Sequence, residues 1–364
     1  MHEKPLMHTV MHGALDFAEL ERLGLHPDAV LDCSVNSNPY GPSPRVREAL
    51  RSLIPERYPD RDCLALKRAL LATDLADVPL VPEMLVCGNG ASELIWALAR
   101  TFLYPGAKVA LFPPTFGEYK AASEAVDATI LTFPACEEAA FQLDVEAACT
   151  WLERQCPALV WLCNPNNPTG ALLTGEQLFR LAQSCTACNA LLVIDESYYR
   201  FVVPEATSAA LPLLAGPLAE HVVVLRSMTK DYALAALRLG YAVLPPERAR
   251  QLQSYLPSWN VNGAAQLAGV AALADRDHLR MTMSALAIER EHFFRALARW
   301  PMIPSHTHYC LLDVGSAVEV RQCLLRKALL VRDCTSFGLP RYIRVATRRR
   351  DEWPRLVAAL QEII

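Results

Sequence analysis

Short apolar runs alternate with longer segments of helical periodicity over most of this chain. Apolar runs occupy residues 160–163, 191–194 and 222–225. Runs of this kind are typical of strands that are buried on both faces of a parallel sheet. The alternation extends from about Pro44 to about Pro257, and it predicts a doubly wound α/β domain that spans residues 44–257. Outside it, residues 258–364 mix helical segments with apolar strands near 309–313 and 343–345.

Polar residues follow three of these predicted strands at the point where each strand ends. The first strand leads into the proline- and asparagine-rich segment 164–170, the second into residues 195–199 and the third into residues 227–230. Prolines, asparagines and a glycine force a rigid, irregular turn in the first of these segments. Because ligands bind beyond the carboxyl ends of parallel strands, we expect a functional site where these segments meet.

Lys230 is the candidate nucleophile of this site. A lysine amine forms a Schiff base with an aldehyde only when it is neutral, so its pKa must be lowered by burial or by a nearby cation. Arg238 is a suitable cation, and together with the hydroxyls of Ser227 and Thr229 it can hold a phosphate. The alternative is an ordinary surface lysine.

Asp195 and Asn167 provide further polar groups at the same edge. An aspartate after a buried strand can pair with a protonated pyridine nitrogen, although it can equally be the N-cap of the next helix. Asn167, within the irregular turn, can donate a hydrogen bond to a phenolate oxygen.

The three segments together resemble the fold-type-I pyridoxal-phosphate enzymes. The resemblance rests on Asn-Pro-Asn-Asn-Pro-Thr-Gly at 164–170, Asp-Glu-x-Tyr at 195–198 and Ser-x-Thr-Lys at 227–230, followed by Leu-Arg-Leu-Gly-Tyr at 237–241. Within that superfamily the chain looks most like the threonine-phosphate decarboxylases of cobalamin biosynthesis and their relatives, the histidinol-phosphate aminotransferases. The likeness runs from His12 almost to the C-terminus, and it implies that residues 1–43 and 258–364 form an N-terminal arm and a smaller domain.

The resemblance implies a set of cofactor contacts for pyridoxal 5'-phosphate. Lys230 would form the Schiff base, Asp195 would pair with the pyridine nitrogen, and Asn167 and Tyr198 would bond the ring oxygen. The other implied contacts are Gly90, Ala91 and Ser92 at a helix start, Ser227 and Arg238 at the phosphate, Phe116 on the ring, and Tyr58 from a neighbouring subunit. A helix start can bind an anion, although a Gly-x-Gly turn is more often an ordinary loop turn without a ligand. The contact from Tyr58 implies a homodimer with shared active sites.

The resemblance also implies a substrate-binding end. Alternation along a strand places Tyr342 and Arg344 on one face, and Arg344 matches the family arginine that binds the acidic group of the substrate. His12 and Asn36 match residues close to the substrate phosphate, and Asn167 also faces the substrate. The alternatives are a solvated strand arginine and an exposed histidine.

The expected reaction is decarboxylation of L-threonine O-3-phosphate to (R)-1-amino-2-propanol O-2-phosphate, with Lys230, Asp195 and Tyr198 as catalytic residues. Phe116, the His-Gly opening at 12–13 and the segment 225–230 favour this reaction. Two alternatives remain: histidinol-phosphate transamination, and a catalytically silent binding or regulatory protein of the same fold. Because the bond that breaks is the one held perpendicular to the cofactor ring, the orientation of the substrate decides the reaction.

Some positions depart from the family pattern or invite other chemistry. Ala235-Ala236 replace the usual pair that ends in glycine, and His308 stands where asparagine is common. His306 and His308 lack an obvious third metal ligand, and Cys185-x-x-Cys188 lies in a helical pattern without a partner pair. We therefore expect no metal site.

Composition excludes several other classes of protein. The chain has 364 residues, a formal net charge of −4, 52% hydrophobic residues and 12 cysteines without regular spacing. This charge argues against nucleic-acid binding, and the chain shows neither a cleavable signal nor a long apolar span. We expect a cytoplasmic protein with reduced thiols and a phosphorylated amino compound as substrate, and no membrane partner.

Overall fold

Strands and helices alternate along the chain as the pattern predicts. The computed structural model describes residues 13–202 and 210–364. Its strands are β1 (Leu31–Asp32), β2 (Leu85–Gly88), β3 (Lys108–Leu111), β4 (Thr129–Thr132), β5 (Leu159–Cys163), β6 (Leu191–Asp195), β7 (Val222–Ser227), β8 (Gly240–Val243), β9 (Tyr309–Asp313), β10 (Leu329–Leu330), β11 (Arg332–Asp333) and β12 (Tyr342–Ala346). Its α-helices are α1 (Phe17–Arg22), α2 (Pro44–Leu50), α3 (Leu64–Ala72), α4 (Gly90–Phe102), α5 (Gly117–Glu124), α6 (Val145–Gln155), α7 (Gly175–Ala187), α8 (Pro246–Ser254), α9 (Gly263–Leu273), α10 (Arg276–Leu297), α11 (Ala317–Arg326) and α12 (Trp353–Ile363). Within these described residues, none of the helices has the length and apolar character needed to span a membrane.

A seven-stranded sheet with the order β2-β8-β7-β6-β5-β3-β4 forms the centre of the structure. Strand β8 pairs antiparallel with both of its neighbours, and every other pairing in the sheet is parallel. The predicted α/β class with a mostly parallel sheet is therefore confirmed. The connection from β7 to β8 contains only a short 3-10 turn, which is too short for the crossover that a parallel pairing needs.

Helices cover both faces of this sheet. Strands β5, β6 and β7 are buried along their whole length. One core joins their side chains to α3, α6, α7 and α9, and a second core joins the opposite face to α4, α5 and α8. At the edge of the sheet, β4 is short, and its terminal threonines, Thr129 and Thr132, are exposed.

A second, three-stranded antiparallel sheet with the order β11-β12-β9 packs against α10, α11 and α12. The arm reaches this unit because β1 pairs in parallel with β10. Helix α9 lies beyond the predicted boundary at residue 257, yet it packs against α2 and α3 beside the large sheet. The domain limits at 44–257, 1–43 and 258–364 stay a prediction.

A buried ion pair ties the ends of β6 and β7 together. The Arg226 Nη2 lies 2.9 Å from the Glu196 carboxylate, and each side chain is only 2% exposed. Arg226 also donates to the Tyr199 hydroxyl over 3.0 Å, and its guanidinium lies 3.8 Å from the centre of the Tyr199 ring. Removing one partner would leave a buried charge without compensation.

We expect Glu196→Ala to lower the free energy of unfolding by about 3–5 kcal/mol, because Arg226 would remain buried without its carboxylate. Urea unfolding of the two proteins measures this change. The matched control is Glu247→Ala, which removes the exposed Arg250–Glu247 pair and should change the unfolding midpoint much less. Equal effects of the two substitutions would contradict the assigned role of the buried pair.

Candidate active site

The carboxyl ends of six strands lie at one edge of the large sheet. Strands β2 to β7 all point the same way, and β8 begins at this edge because Gly240 pairs with both Gly88 and Ser227. A cavity of about 400 Å³ lies there. The predicted site residues that line it are Asn36, Ala91, Ser92, Phe116, Asn167, Asp195, Tyr198, Ser227, Lys230, Arg238 and Arg344.

The structure places the remaining predicted residues elsewhere. Gly90 lies beside the cavity, directly beneath the Arg238 guanidinium. Tyr58 does not line the cavity; its side chain is 77% exposed and its ring lies 4.8 Å from that of Trp259. His12 lies outside the described residues.

Lys230 is held in the loop after β7. Its carbonyl accepts hydrogen bonds from the backbone N–H groups of Asn38 and Ala233. Burial lowers the pKa of the Lys230 amine to about 8, with smaller contributions from Arg344 and Arg238, while Asp195 acts in the opposite direction. The amine is therefore far more often neutral near pH 8 than an exposed lysine, as Schiff-base chemistry requires.

Asp195 is a buried carboxylate at the end of β6, and it is 4% exposed. Its Oδ1 accepts from the backbone N–H of Ser197 at 2.9 Å and from the Ser197 hydroxyl at 2.6 Å, and its Oδ2 accepts from the Tyr119 hydroxyl at 2.8 Å. Burial raises the pKa of Asp195, and these hydrogen bonds oppose that rise. A carboxylate has lone pairs for a further donor, so it can still pair with a cation in the cavity.

The role of Tyr119 was missed in the sequence. Its ring stacks on Trp161 with the ring centres 5.2 Å apart and meets the Phe116 ring edge-on at 5.6 Å. Tyr119 follows Phe116 by three residues at the start of α5, and residues so spaced share a helix face. That spacing was the available signal that both aromatic residues serve one site.

The start of α4 forms a cradle for an anion. Gly90 has φ of +81°, and a Cβ atom there would lie 2.7 Å from the Arg238 Nη2. A Cβ atom on Gly240 would lie 2.7 Å from the Ala91 nitrogen and 2.9 Å from the Gly90 carbonyl carbon. Only glycines allow this close approach, which leaves the first N–H groups of the helix directed at the cavity.

Two further groups complete this cradle. The Ser227 hydroxyl shares a 2.7 Å hydrogen bond with Thr229, and both side chains line the cavity. Arg238 donates to the carbonyl of Ala235 at 3.1 Å, and among the described residues no carboxylate lies within 4.0 Å of its guanidinium. Hydroxyls, helix N–H groups and a guanidinium form a donor set that suits a phosphate.

Arg344 lies in the buried strand β12 with its guanidinium in the cavity. It donates to the Asn167 side-chain oxygen, and its Nη2 donates to the carbonyl of Ser34 at 2.6 Å. Its Nε has no hydrogen-bond partner in the described parts of the chain, and the same holds for both polar atoms of the Asn36 amide. Unpaired buried polar atoms that border a cavity are suited to binding a polar ligand there.

Arg332 is a second arginine in the same cavity, and the sequence reasoning did not identify it. It lies opposite Arg344 in the β11–β12 pairing, and the two side chains are 6% and 5% exposed. Burial, followed by the charge of Arg344, lowers the pKa of Arg332. Like charges directly opposite each other destabilise a sheet, so this pair indicates an anion-binding site. The signal was an arginine immediately after the apolar residues 329–331.

His308 does not enter the cavity. It is 1% exposed, and its ring stacks on Phe201 with the centres 3.9 Å apart. Burial lowers the pKa of His308 far below its usual value, with Arg344 and Lys230 adding to the effect. The imidazole is therefore neutral. Within the described residues, no group of three or more histidine, cysteine, aspartate or glutamate side chains is arranged to hold a metal ion.

The loop accommodates Ala236, which stands where the family usually has glycine, without backbone strain. Left-handed backbone conformations in this loop fall at Ala233, with φ of +54°, and at Arg238, with φ of +59°. Residues 235–237 form a 3-10 turn between them. Because the turn places positive φ at other residues, an alanine at position 236 needs no special conformation.

Comparison with known proteins identifies relatives along nearly the whole chain. Residues 28–360 match the family model for aminotransferase class I and II. The histidinol-phosphate aminotransferase of Symbiobacterium thermophilum is 33% identical over 344 residues, which cover 93% of this chain and 91% of that protein.

Solved structures share the fold. The histidinol-phosphate aminotransferase of Sinorhizobium meliloti in complex with pyridoxal-5'-phosphate superimposes with a TM-score of 0.86 at 24% identity, covering 100% of this chain and 97% of that chain. The L-threonine-O-3-phosphate decarboxylase of Porphyromonas gingivalis superimposes with a TM-score of 0.76 at 23% identity, covering 91% and 98%. At these identities the likeness establishes the fold and does not separate the two activities.

The expectation of threonine-phosphate decarboxylation, and with it of a lyase of cobalamin biosynthesis, is wrong. Seven further curated relatives at 29–34% identity are all histidinol-phosphate aminotransferases. The residues that favoured the decarboxylase were Phe116, the segment 225–230 and His12. Phe116 and the end of the segment 225–230 line the cavity around Lys230, and both kinds of enzyme need a lysine of this kind. His12 lies outside the described residues.

The family match covers all three sheets of the described residues and every strand that contributes to the cavity. It confirms the resemblance that the motifs at 164–170, 195–198 and 227–230 indicated, and it confirms the expected cofactor. The chain therefore belongs to the aminotransferase class I and II family and is a pyridoxal 5'-phosphate-dependent enzyme.

Proposed function

We propose that this enzyme is a histidinol-phosphate aminotransferase. The observation that supports this proposal best is the buried pair Arg332–Arg344, which faces the same cavity as Lys230. Two adjacent guanidinium groups suit a phosphate dianion, and the names of the curated relatives supply the rest of the substrate. The decisive chemical point is that histidinol phosphate has no carboxylate on the carbon that bears its amine.

In this proposal the cavity has a cofactor half and a substrate half. The helix start at Gly90, Ala91 and Ser92 would hold the cofactor phosphate with Ser227 and Arg238, and Asp195 would hold the protonated pyridine nitrogen. Phe116, Asn167 and Tyr198 would contact the ring and its oxygen. When bound, pyridoxal phosphate supplies an electron sink for the electrons released at the substrate α carbon.

Lys230 would be the residue that moves the proton. With no carboxylate to lose, the α carbon of histidinol phosphate can give up only its hydrogen in this chemistry. A neutral amine with a pKa of about 8 is well matched to accept that proton near physiological pH. The same amine would donate a proton in the later step of the transamination. Arg344 and Arg332, by fixing the phosphate, would set which bond faces Lys230.

The same arginine pair would also serve the second substrate. A transaminase must bind an amino donor and a 2-oxo acid in turn in one cavity, and a dicarboxylic 2-oxo acid carries an anionic group that Arg332 and Arg344 can bind. The unpaired Asn36 amide offers a further contact to either substrate.

We further propose that the enzyme is a homodimer with shared sites. Tyr58 is 77% exposed and lies outside its own cavity. A large aromatic side chain in this position, packed against the half-exposed Trp259, is suited to contact a second copy. In that arrangement Tyr58 would reach the cofactor phosphate of its partner.

The purified, cofactor-loaded protein should form glutamate from histidinol phosphate and 2-oxoglutarate. The same preparation should release no carbon dioxide from L-threonine O-3-phosphate. Both products can be quantified by mass spectrometry, with Lys230→Ala as the inactive control. Carbon dioxide without glutamate would contradict the proposal.

The pH dependence of cofactor capture should report the lowered pKa of Lys230. Only the neutral amine attacks the aldehyde, so we expect the capture rate to rise with pH and to level off above about pH 8. Stopped-flow absorbance of the apoprotein mixed with pyridoxal phosphate measures this rate. Arg344→Gln should move the inflection to higher pH because it removes a nearby cation. An inflection near pH 10, as for an exposed lysine, would contradict the assignment.

Arg332→Leu should weaken binding of the phosphorylated substrate. The loss of a charge-assisted contact worth about 1.5–3 kcal/mol predicts a KM for histidinol phosphate that is roughly 10- to 150-fold higher. The KM for unphosphorylated histidinol should hardly change. The control is Arg341→Leu. Arg341 is an exposed arginine that immediately precedes β12 and pairs with Asp313 at the end of β9. Equal effects on both substrates would show that Arg332 does not bind the phosphate.

A further inference from the structure

The N-terminal arm connects the substrate arginine to the loop that carries the lysine. At one end, the Ser34 carbonyl accepts a hydrogen bond from the Arg344 Nη2 at 2.6 Å. At the other end, the backbone N–H of Asn38 donates to the Lys230 carbonyl at 2.9 Å. The residues between these two ends line the active-site cavity. Five residues of backbone, 34–38, therefore join the β12 arginine to the lysine loop.

The side chain of Asn38 is buried and uses each of its polar atoms. It is 4% exposed. Its Nδ2 donates to the carbonyl of Asp231 at 3.1 Å and to the hydroxyl oxygen of Thr282 at 3.0 Å, and its Oδ1 accepts from the backbone N–H of Tyr40 at 3.1 Å. A buried amide with all of these partners is held in one orientation. The Asn38 side chain thereby fixes the residue that follows Lys230.

Helix α10 supports this amide from outside the cavity. Thr282 is 8% exposed, and its hydroxyl donates to the carbonyl of His278 at 2.9 Å within the same helix. The His278 Nε2 in turn lies 3.1 Å from the carbonyl of Gly41. The helix therefore contacts the arm on both sides of Pro39, and it gives the Asn38 amide a rigid partner.

The lysine loop is also held from its opposite side. The Asp231 carboxylate lies 3.1 Å from the Arg200 Nε, and the Arg200 Nη2 lies 2.6 Å from the Asp74 carboxylate. The Tyr232 hydroxyl donates to the same Asp74 carboxylate at 2.6 Å. Asp231 is thus fixed through its side chain by this ion pair and through its carbonyl by the arm, which leaves Lys230 beside a residue with little freedom.

We propose that Asn38 is a positioning residue for Lys230, and that its side-chain amide holds the lysine loop so that the amine stays buried and aligned in the cavity. Asn38 and Thr282 are both absent from the described residues that line the cavity, so the effect passes through the backbone of residues 230 and 231. A displacement of about 1 Å in a reacting group can lower a rate by about 100-fold. One of the two readouts below rests on the proposed transamination, and the other needs only the cofactor.

The first readout is cofactor capture by the full-length chain after removal of pyridoxal phosphate. Asn38→Ala removes the amide and keeps the backbone N–H that bonds Lys230. Burial is the largest cause of the lowered pKa of Lys230, so a loosened loop should raise that pKa. The inflection in the stopped-flow capture rate should move to higher pH, and capture at pH 8 should be roughly fivefold slower or more. A merely structural role would lower the unfolding midpoint and leave the inflection in place.

The second readout is turnover of the holoenzyme with histidinol phosphate and 2-oxoglutarate. Asn38→Ala should lower kcat about tenfold and change the KM for histidinol phosphate less than about twofold, because Arg332 and Arg344 remain in place. Histidinol phosphate with deuterium on its α carbon should show a larger isotope effect in the variant than in the unsubstituted enzyme. Misalignment of Lys230 slows the proton transfer itself, whereas general destabilisation does not enlarge an isotope effect.

Variants of the supporting threonine provide a matched series. Thr282→Val removes one acceptor of the Asn38 amide, so it should change both readouts in the same direction and by less. Thr282→Ser keeps the hydroxyl and should behave as the unsubstituted enzyme does. The control is Thr186→Val in α7, which removes a hydroxyl that donates to the carbonyl of Ala182 at 2.8 Å far along the chain from the site. Thr282→Val suffices as the test if Asn38→Ala does not fold.

The outcomes separate the role of Asn38 from the choice of substrate. An inflection that stays in place in Asn38→Ala overturns the proposal, and so does an unchanged kcat in an enzyme that forms glutamate. Equal effects of Thr282→Val and Thr186→Val also overturn it. If the unsubstituted enzyme forms no glutamate while the inflection moves as expected, the transamination is wrong and the positioning role of Asn38 is supported.

Discussion

A concentration of positive charge at one edge of the large sheet is the constraint on which the rest of the site depends. Lys230, Arg238, Arg332 and Arg344 all line the cavity, and Asp195 is the one carboxylate among its described lining residues. Buried like charges cost stability unless anions balance them. Two phosphates, one from the cofactor and one from the proposed substrate, would provide that balance. The bound ligands would then neutralise the charge of the cavity. Ligand binding should accordingly stabilise the folded state.

The sheet makes this concentration of charge possible. Parallel strands bring their carboxyl ends to one edge, where the backbone leaves the sheet and side chains can converge. The antiparallel strand β8 contributes from the opposite direction, because its first residue, Gly240, lies against the start of α4. The cradle for a phosphate therefore needs a strand end, a strand start and a helix start at the same place. The buried Arg226–Glu196 pair holds the two central strand ends in register just below it.

The sequence identified the cavity residues around Lys230 more completely than those around Arg344. Lys230, Asp195 and Asn167 each follow a buried strand in a recognisable motif, so their convergence could be foreseen. Arg332 begins the two-residue strand β11, and its position in the cavity depends on the pairing of β11 with β12, which no local pattern specifies. The choice between decarboxylation and transamination failed for the same reason. In the proposed arrangement it depends on the substrate side of the cavity. The residues there come from the segment after β1 and from β11 and β12, which are distant in sequence from the motifs.

The antiparallel direction of β8 was also not predicted. It is determined by the shortness of the connection between β7 and β8, and no pattern of residues indicates it. By contrast, the apolar runs of β5, β6 and β7 specified their strands directly, since no other arrangement buries both faces.

The edge strand β4 bears on a different problem, that of self-association during folding. A sheet with three fully buried central strands can pair with other chains until its outer strands are in place. Strand β4 forms one edge of the sheet and has only four residues. Its first and last residues are exposed threonines, and Asp127, which lies just before it, has a left-handed backbone conformation. So short and polar a border offers few free backbone groups in line for another strand. The chain thereby protects its most aggregation-prone segments by keeping them in the interior of the sheet.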